Sequence, residues 1–540
     1  MFHTAASGVP PYDSILVGRR PHRMVEALEH IFDLSLQNPI ITYLTGDPGS
    51  GKSQLLYYMR RKFITDKSRI MVVIHADKFD SRAKNPLGQL ALLKEICKDE
   101  QLKERGLQAG FELDSSVDEV DEAALAERIN QTVRAVEICE NANRKQLRNS
   151  FGLVVAIDGL DEYVRPSGGK GLLEQDTRAL MFSIRFLLDS LLKTCIVLAF
   201  TTDIFGMVQD VTKGDVTFQR RLIPSQEFDG SDLSFQAFNL EETREMYLGY
   251  RGVWLSKATA AGLDIAVVKN RTEWPISPSA IELVLEATTG RPGALQEVFQ
   301  SSFEAIQDQD QEWLRTGINV DLKFMANVIY SISRTAPYGL DMDKGDVRRR
   351  IDFLRGWAEQ TSTPSSYPTE PQVVDVIKAI LELADFKVTG STVDKLSSTH
   401  LYVLNVEANF KMGNIGVLVM PDTFITKGDI EILNDFVTDN KVHQLVLFTQ
   451  KEGFEWIYSP SPFPSDHEGT RKRNLSNYSY VLRFSKEQFS GLGVTAMRLT
   501  TESKSAALWC ADRLCSPIEG YKLSEVLSSM AMSAIRGANV

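Results

Sequence analysis

The residues best suited to chemistry lie in one short segment, 46–53, which reads GDPGSGKS and is called the phosphate loop from here on. Glycines let the backbone turn tightly, so that successive N–H groups can face an anion. Lys52 is suited to reach the β- and γ-phosphates of a nucleotide, and the Ser53 hydroxyl is suited to ligate Mg²⁺. The predicted nucleotide-binding residues are Gly46, Asp47, Pro48, Gly49, Ser50, Gly51, Lys52 and Ser53.

A group of acidic residues follows the apolar run 153–157 further along the chain. Asp158 comes directly after that run, where a carboxylate can lie beside a Mg²⁺ ion bound to the phosphates. A second acid is needed to orient and polarise the attacking water. Asp161 and Glu162 are both candidates for this general base, and Glu162 is preferred.

Apolar runs alternate with helical patterns on both sides of the phosphate loop. This alternation predicts a parallel sheet with helices on both of its faces. The predicted strands are 39–45, 70–75, 151–157 and 194–201. The apolar strand before the loop and the helix after it, which runs to residue 63, are the context that the phosphate-binding motif requires. The predicted fold class is therefore α/β, with the three-layer α/β/α core of P-loop NTPases.

The remaining chain predicts further domains. The core is expected over 1–231, and the helical pattern of 232–335 predicts a lid. Residues 336–371 are expected to form a segment that connects the lid to the C-terminal domain. Within it, residues 360–371 (QTSTPSSYPTEP) have the composition of a linker. Residues 372–540 restart the alternation and predict a smaller α/β or α+β C-terminal domain.

The ordered set of motifs resembles the AAA+ and STAND branches of P-loop ATPases, over residues 12–310. Val17 and Gly18 begin a VGR sequence that resembles the box preceding the phosphate loop, which helps to seat the base. AAA+ proteins usually carry two adjacent acids after the third strand. Here the sequence DGLDE, 158–162, is closer to STAND and KAP-type ATPases, so the resemblance leaves the choice between Asp161 and Glu162 open.

The resemblance also implies roles for polar residues beyond the acidic group. Thr202 follows the fourth predicted strand, where AAA+ proteins carry a polar sensor residue. Arg220 and Arg221 resemble the box that supplies an arginine finger to a neighbouring subunit, which would neutralise charge on the γ-phosphate. Arg291, in the sequence GRPG that opens a lid helix, resembles a second phosphate sensor. The layout is most similar to the origin-recognition/initiator clade and its mobile-element and defence relatives.

This resemblance implies an ATP-binding and ATP-hydrolysing AAA+-like ATPase with ATP and Mg²⁺ as cofactors. Its nucleotide cycle would drive assembly or conformational switching, as a homo-oligomer acting on DNA or on a DNA-bound protein partner. The first alternative is a STAND-like signalling or defence switch with a C-terminal sensor or effector domain. The second alternative is an ATPase coupled to a nuclease.

The C-terminal domain offers few residues for a nuclease. Glu407 and Lys411 provide an acid and a lysine, and on one strand their spacing would place both on the same face. Three residues separate them, however, and Asp394 is a weak candidate for the upstream acid. Two basic clusters, 344–350 and 471–473, could contact phosphate, the second with Tyr478 and Tyr480 nearby for base stacking.

Composition limits the possible partners. The net charge of −11 and the pI near 5.4 predict no global attraction to nucleic acid or to an anionic membrane, so any such contact needs a local basic patch. The five cysteines form no zinc or disulfide pattern. The N-terminus lacks the pattern of a signal peptide and the apolar runs are too short to span a bilayer. We therefore expect a cytoplasmic protein without membrane contact.

Overall fold

A computed structural model defines the fold. It describes residues 19–76, 88–113, 121–143, 151–160, 170–213, 234–271, 275–307, 320–333, 340–343, 346–397, 399–421, 426–439, 441–450, 479–518 and 520–538. The chain divides into two compact units. The first contains Met1–Pro275, Val284–Asn319 and Ile332–Leu340, and the second contains Ile276–Leu283, Val320–Ser331 and Asp341–Val540.

The first unit is built on a parallel sheet. Its described strands are β1 (Ile40–Gly46), β2 (Ile70–His75), β3 (Leu153–Asp158), β4 (Thr194–Phe200) and β5 (Ser234–Phe235). Their order across the sheet is β2-β3-β4-β1-β5, and every pairing is parallel. Strands β1 and β3 are therefore separated by β4, and the carboxyl ends of all three meet at one edge of the sheet.

Helices cover both faces of this sheet because alternate residues of each buried strand point to opposite sides. In β3, for example, Val155 packs with a cluster that includes residues of the helices 89–98 and 122–143, whereas Val154 packs with the helices on the other face. The predicted three-layer α/β/α core is confirmed. The described helices of this unit up to residue 260 are α1 (Arg19–Leu34), α2 (Lys52–Asp66), α3 (Gln89–Lys98), α4 (Glu100–Gln108), α5 (Glu122–Asn143), α6 (Lys170–Ser190), α7 (Thr202–Thr212) and α8 (Leu240–Ala260).

Helices make up most of the described part of 232–335, the region predicted as a lid. After α8 it contains α9 (Pro278–Thr288), α10 (Pro292–Gln307) and α11 (Leu322–Ile332). The helix α8 begins with a capping box, in which the Asn239 side chain accepts a hydrogen bond from the Glu242 N–H and the Glu242 carboxylate accepts one from the Asn239 N–H. Both α9 and α10 begin with proline, which has no N–H to leave unpaired at a helix start.

The second unit contains a mixed sheet. Its described strands are β6 (Lys387–Lys395), β7 (His400–Ala408), β8 (Lys411–Val419), β9 (Gln444–Thr449) and β10 (Ser479–Arg483), in the spatial order β10-β9-β8-β7-β6. The pairs β6–β7 and β7–β8 are antiparallel, and the pairs β8–β9 and β9–β10 are parallel. The further helices of this unit are α12 (Val347–Arg355), α13 (Trp357–Ser362), α14 (Glu370–Leu383), α15 (Lys427–Thr438), α16 (Lys486–Arg498), α17 (Lys504–Leu514) and α18 (Leu523–Ala538).

A tight hairpin turn separates the two residues considered for a nuclease, Glu407 and Lys411. Asn409 and Phe410 both have positive φ values, 52° and 62°, as a two-residue turn between antiparallel strands requires. Glu407 therefore lies at the end of β7 and Lys411 at the start of β8, on different strands. Asp394 is opposite Leu401, whereas Glu407 is opposite Lys387, so the two acids lie near opposite ends of the β6–β7 pair. The condition under which Glu407 and Lys411 would share one face of one strand is therefore not met.

The segment expected as a linker is packed into the second unit. Residues 360–371 contain the end of α13, a 3₁₀ turn at Pro364–Ser366 and the start of α14. Ser366 is buried, and its hydroxyl donates to the Thr361 carbonyl. Gly493 of α16 approaches this turn so closely that a Cβ there would overlap the Ser366 carbonyl. The polar composition therefore reflects turns and helix caps and not a flexible connection.

The described helices include none that is both long and apolar enough to cross a membrane.

A partly buried ionic cluster contacts the first turns of α9 within the second unit. Arg513 donates to the Glu282 carboxylate at 2.6 Å, and Lys522 donates to its other oxygen at 2.9 Å. The Arg513 guanidinium also lies over the Trp509 ring, 4.0 Å from its centroid. Burial alone raises the pKa of Glu282, but the hydrogen bonds and charges of Arg513 and Lys522 outweigh it and hold the pKa below its ordinary value.

Glu282→Gln should lower the free energy of unfolding by about 2 kcal/mol at pH 7, because it removes charged hydrogen bonds at a largely buried site. A depressed folded-state pKa stabilises the fold above the ordinary glutamate pKa, and this contribution is lost as pH falls through the folded value. The difference between wild type and variant should therefore shrink in acid. Chemical denaturation between pH 7 and pH 3 measures it, with Glu382→Gln on the exposed face of α14 as control. A pH-independent difference would contradict this account.

Candidate functional site

The phosphate loop connects β1 to α2 through glycines in conformations that other residues rarely adopt. Gly49 has φ 74°, and Gly51 has φ 101° and ψ 10° at the N-cap of α2. The Leu55 N–H donates to the Gly51 carbonyl at 3.0 Å, so helical hydrogen bonding starts at the end of the loop. The first N–H groups of any helix have no acceptor within that helix, and the N-terminus carries a positive partial charge; both favour an anion at the start of α2.

Position 46 must be glycine because β5 passes too close to leave room for a side chain there. A Cβ on Gly46 would lie 2.6 Å from the Phe235 Cβ and 2.8 Å from the Ser50 Oγ. Gly46 and Phe235 are also neighbours in the register of β1 and β5. The Phe235 ring lies near Gly51, 3.7 Å from where a Cβ on that residue would be. Phe235 therefore supports both ends of the phosphate loop.

The polar side chains of the loop fit an anion. Lys52 is buried, and its ammonium group donates to the carbonyls of Gly46 at 2.7 Å and Asp47 at 3.1 Å. The Ser50 hydroxyl is buried and has no hydrogen-bond partner among the described residues. An unpaired buried hydroxyl is unfavourable, and a phosphate oxygen would satisfy it. Asp47 and Pro48 are exposed at the tip of the loop.

The sheet brings Asp158 to the same edge as the loop. Asp158 is the last residue of β3, and its side chain is 5% exposed. Ser53 is the second residue of α2. One carboxylate and one hydroxyl suit Mg²⁺, which keeps several waters and takes its other ligands from phosphates. No cluster of three or more His, Cys, Asp or Glu side chains suited to a metal occurs in the described part of the chain.

The fourth strand ends with two threonines of different burial. β4 stops at Phe200, Thr201 is 2% exposed, and Thr202 starts α7 with an exposed side chain. Sequence reasoning preferred Thr202 because it follows the strand. Strand β4 lies between β1 and β3, so the buried Thr201 is the threonine that follows directly on the strand between the phosphate loop and Asp158.

The turn 288–293 of the lid, called the lid turn from here on, is bonded to the phosphate loop. The Gly293 N–H donates to the Gly49 carbonyl at 2.7 Å. Gly290 has φ 71°, and its carbonyl accepts from the Phe238 N–H at 2.7 Å. Arg291 lies between these two contacts, with Nε donating to the Thr288 carbonyl at 3.3 Å. Arg291 therefore belongs to the same short turn as Gly293, whose N–H contacts the phosphate loop directly.

Several predicted site residues lie outside the part of the chain that the structure describes. These residues are Val17, Gly18, Asp161, Glu162, Arg220 and Arg221. Their predicted roles remain predictions. The structure brings together the phosphate loop, Asp158, the end of β4 and the lid turn.

Lys344 of the basic cluster 344–350 lies outside the described residues, and two of the cluster's arginines form ion pairs within the second unit. Arg348 forms an ion pair with Asp343, and Arg349 forms ion pairs with Asp346 and Glu502. The Arg350 guanidinium lies over the Trp509 ring, 4.8 Å from its centroid. These carboxylates compete with phosphate for the same guanidinium groups. The second cluster, 471–473, lies outside the described residues together with Tyr478, and Tyr480 is partly exposed in β10.

Sequence reasoning missed three contributors to the site, namely Phe235, His75 and Gly293. Phe235 follows a stretch without a strand pattern, and His75 reads as the polar end of an apolar run. Gly293 was recognised only as part of a helix start. His75 ends β2 opposite Asp158 at the end of β3, and the local sequence carries no signal for this pairing because it depends on the strand order.

The comparison with protein-family models found no match, and neither did that with curated protein sequences. Among solved structures, the chain is similar to the Aeropyrum pernix ORC2 protein in its ADP form, with a TM-score of 0.33 and 10% identity over 71% of this chain and 80% of that chain. For Drosophila ORC bound to DNA the TM-score is 0.32, with 11% identity over 67% and 76%. A closed-state reconstruction of Hsp104 with ATPγS and FITC casein gives a TM-score of 0.28, with 11% identity over 69% and 53%. These likenesses are distant, so the role of each residue depends on the chain's own geometry.

Lys52→Ala should weaken binding of a fluorescent ATP analogue by about 100-fold, because it removes charged hydrogen bonds to phosphate. Lys62→Ala provides the control, since Lys62 lies on the same helix and pairs with Glu29. Fluorescence titration measures both. Equal affinity of Lys52→Ala and wild type would contradict the placement of the phosphates at this loop.

Proposed function

We propose that the chain binds and hydrolyses ATP with Mg²⁺ and couples this cycle to assembly or conformational switching on DNA or on a DNA-bound protein. The observation that carries the proposal is the phosphate loop itself. Its buried Ser50 hydroxyl lacks a partner among the described residues, its lysine is buried, and Asp158 lies at the same sheet edge. The loop's N–H groups and Lys52 would hold the phosphates, and Ser53 and Asp158 would hold Mg²⁺.

The remaining steps are assigned to residues around this loop. Glu162, or else Asp161, orients the attacking water and accepts its proton. Bound Mg²⁺ supplies electrostatic stabilisation of charge on the transferred phosphoryl group. The buried Thr201, in preference to Thr202, provides a polar contact from the end of β4. Arg291 contributes positive charge from the lid turn, and Arg220 or Arg221 contributes it from a neighbouring subunit.

A STAND-like switch is the second candidate, and the contact between lid turn and loop favours it. The hydrogen bond from Gly293 to Gly49 joins the lid to a carbonyl of the phosphate loop within one chain. A nucleotide that changes the loop backbone would therefore alter this contact directly. In such a switch the output is a change in lid position within a monomer, with no need for a finger from another subunit.

One experiment separates the two candidates. ATP hydrolysis is measured with and without single- and double-stranded DNA, and particle size is measured with a non-hydrolysable ATP analogue. The assembly role predicts larger particles with the analogue and faster hydrolysis on DNA. It also predicts that Arg221→Ala impairs hydrolysis and is rescued in mixed oligomers that still supply an arginine. A monomer that holds ADP tightly and ignores DNA would favour the switch and contradict the assembly role.

Glu162→Gln should retain ATP binding and lower turnover by about 100- to 1,000-fold, because it removes the proton acceptor and keeps the side chain's shape. Asp161→Asn is the matched control and should leave most of the activity in place. A phosphate-release assay and a nucleotide-binding assay on both variants measure this. Loss of turnover in Asp161→Asn alone would transfer the base to Asp161.

A further inference from the structure

A row of three side chains runs from helix α2 to the end of β3 beside the phosphate loop. His75 is the last residue of β2, and it is paired in register with Asp158, the last residue of β3. Tyr57 lies on α2, four residues after Ser53. Residues four apart lie on the same face of a helix, so Ser53 and Tyr57 point to the same side of α2.

The contacts in this row are specific and largely shielded from water. His75 Nε2 forms a hydrogen bond with the Tyr57 hydroxyl. On the other side of the ring, His75 Nδ1 lies 3.6 Å from Asp158 Oδ2, which is an electrostatic contact just beyond hydrogen-bond distance. The rings of Tyr57 and His75 are also stacked, with centroids 5.6 Å apart. The His75 side chain is 12% exposed and that of Asp158 is 5% exposed.

The chemistry of the three groups determines which group donates a hydrogen bond to which. If the Tyr57 hydroxyl donates to Nε2, then Nδ1 of the neutral imidazole carries the proton and points its N–H at Asp158. The opposite tautomer would place a nitrogen lone pair against a carboxylate, which is repulsive. An N–H facing one carboxylate oxygen restrains the rotation of Asp158 and leaves its other oxygen for a cation.

We propose that Tyr57 and His75 are positioning residues that set the separation of Ser53 and Asp158 and thereby the affinity of the site for Mg²⁺. This inference rests on the proposed ATP·Mg²⁺ site. Tyr57 belongs to the helix that carries Ser53, and His75 belongs to the strand beside Asp158. Their hydrogen bond therefore connects helix α2, which carries Ser53, to the strand beside Asp158. A small change in the spacing of Ser53 and Asp158 would change how well the two residues bind Mg²⁺.

The test compares Tyr57→Phe and His75→Ala with wild type. Binding of a fluorescent ATP analogue is titrated in EDTA and then with increasing Mg²⁺. We expect affinity in EDTA to stay near that of wild type, because the phosphate loop is intact. The Mg²⁺ concentration at half-maximal enhancement should rise about 10-fold in both variants, as for other changes to groups that orient metal ligands. Tyr58→Phe, on the same helix and one residue on, should behave as wild type.

His75→Gln adds a conservative comparison, because its amide N–H can still face Asp158 and should preserve more Mg²⁺ affinity than His75→Ala. An unchanged Mg²⁺ midpoint in Tyr57→Phe and His75→Ala would overturn the proposal. Equal losses in EDTA and in Mg²⁺ would also overturn it, because a general structural defect produces that pattern. A wild-type protein whose nucleotide binding ignores Mg²⁺ would contradict the proposed metal site itself, and the positioning role with it.

Discussion

The structure depends on one backbone constraint, the turn from β1 into α2 through glycines. Gly51 caps α2 in a left-handed conformation, with φ 101°, which side chains larger than hydrogen strongly disfavour. Because the helix begins there, its N-terminal end faces the loop and Lys52 is buried beside it. Gly46 must also lack a side chain, since β5 passes against it. The residues that allow this turn are thus the same ones that create an anion site.

This constraint extends beyond the loop through the segment 234–239. Phe235 lies against the loop, and three residues later the Phe238 N–H bonds to Gly290 in the lid turn. The lid turn in turn donates from Gly293 to Gly49 of the loop. The phosphate loop, the segment 234–239 and the lid turn are thus each in contact with the other two. A change in the loop backbone would therefore alter the hydrogen bonds of the lid turn directly, without an intermediate domain. This direct coupling is the physical reason for proposing motion of the lid as the output of the nucleotide cycle.

Sequence reasoning succeeded where a local pattern determines the structure. The apolar run 70–75 predicts β2 with its observed bounds. Sequence reasoning failed where contacts between residues far apart in the chain determine the local structure. β6 is an edge strand with polar residues on both faces, so it lacks a hydrophobic pattern, and the linker-like 360–371 is packed by α16. The pairing of His75 with Asp158 depends on strand order, which no local pattern encodes.

The central claim is that the phosphate loop binds nucleotide phosphates and that the lid turn responds with it. Amide hydrogen exchange of the wild-type protein, with and without an ATP analogue and Mg²⁺, tests this claim most directly. The account predicts slower exchange for the amides of 49–53 and, in the same experiment, a changed exchange rate at Gly293, whose N–H bonds to the loop. Nucleotide binding that leaves the exchange of both segments unchanged would contradict the account.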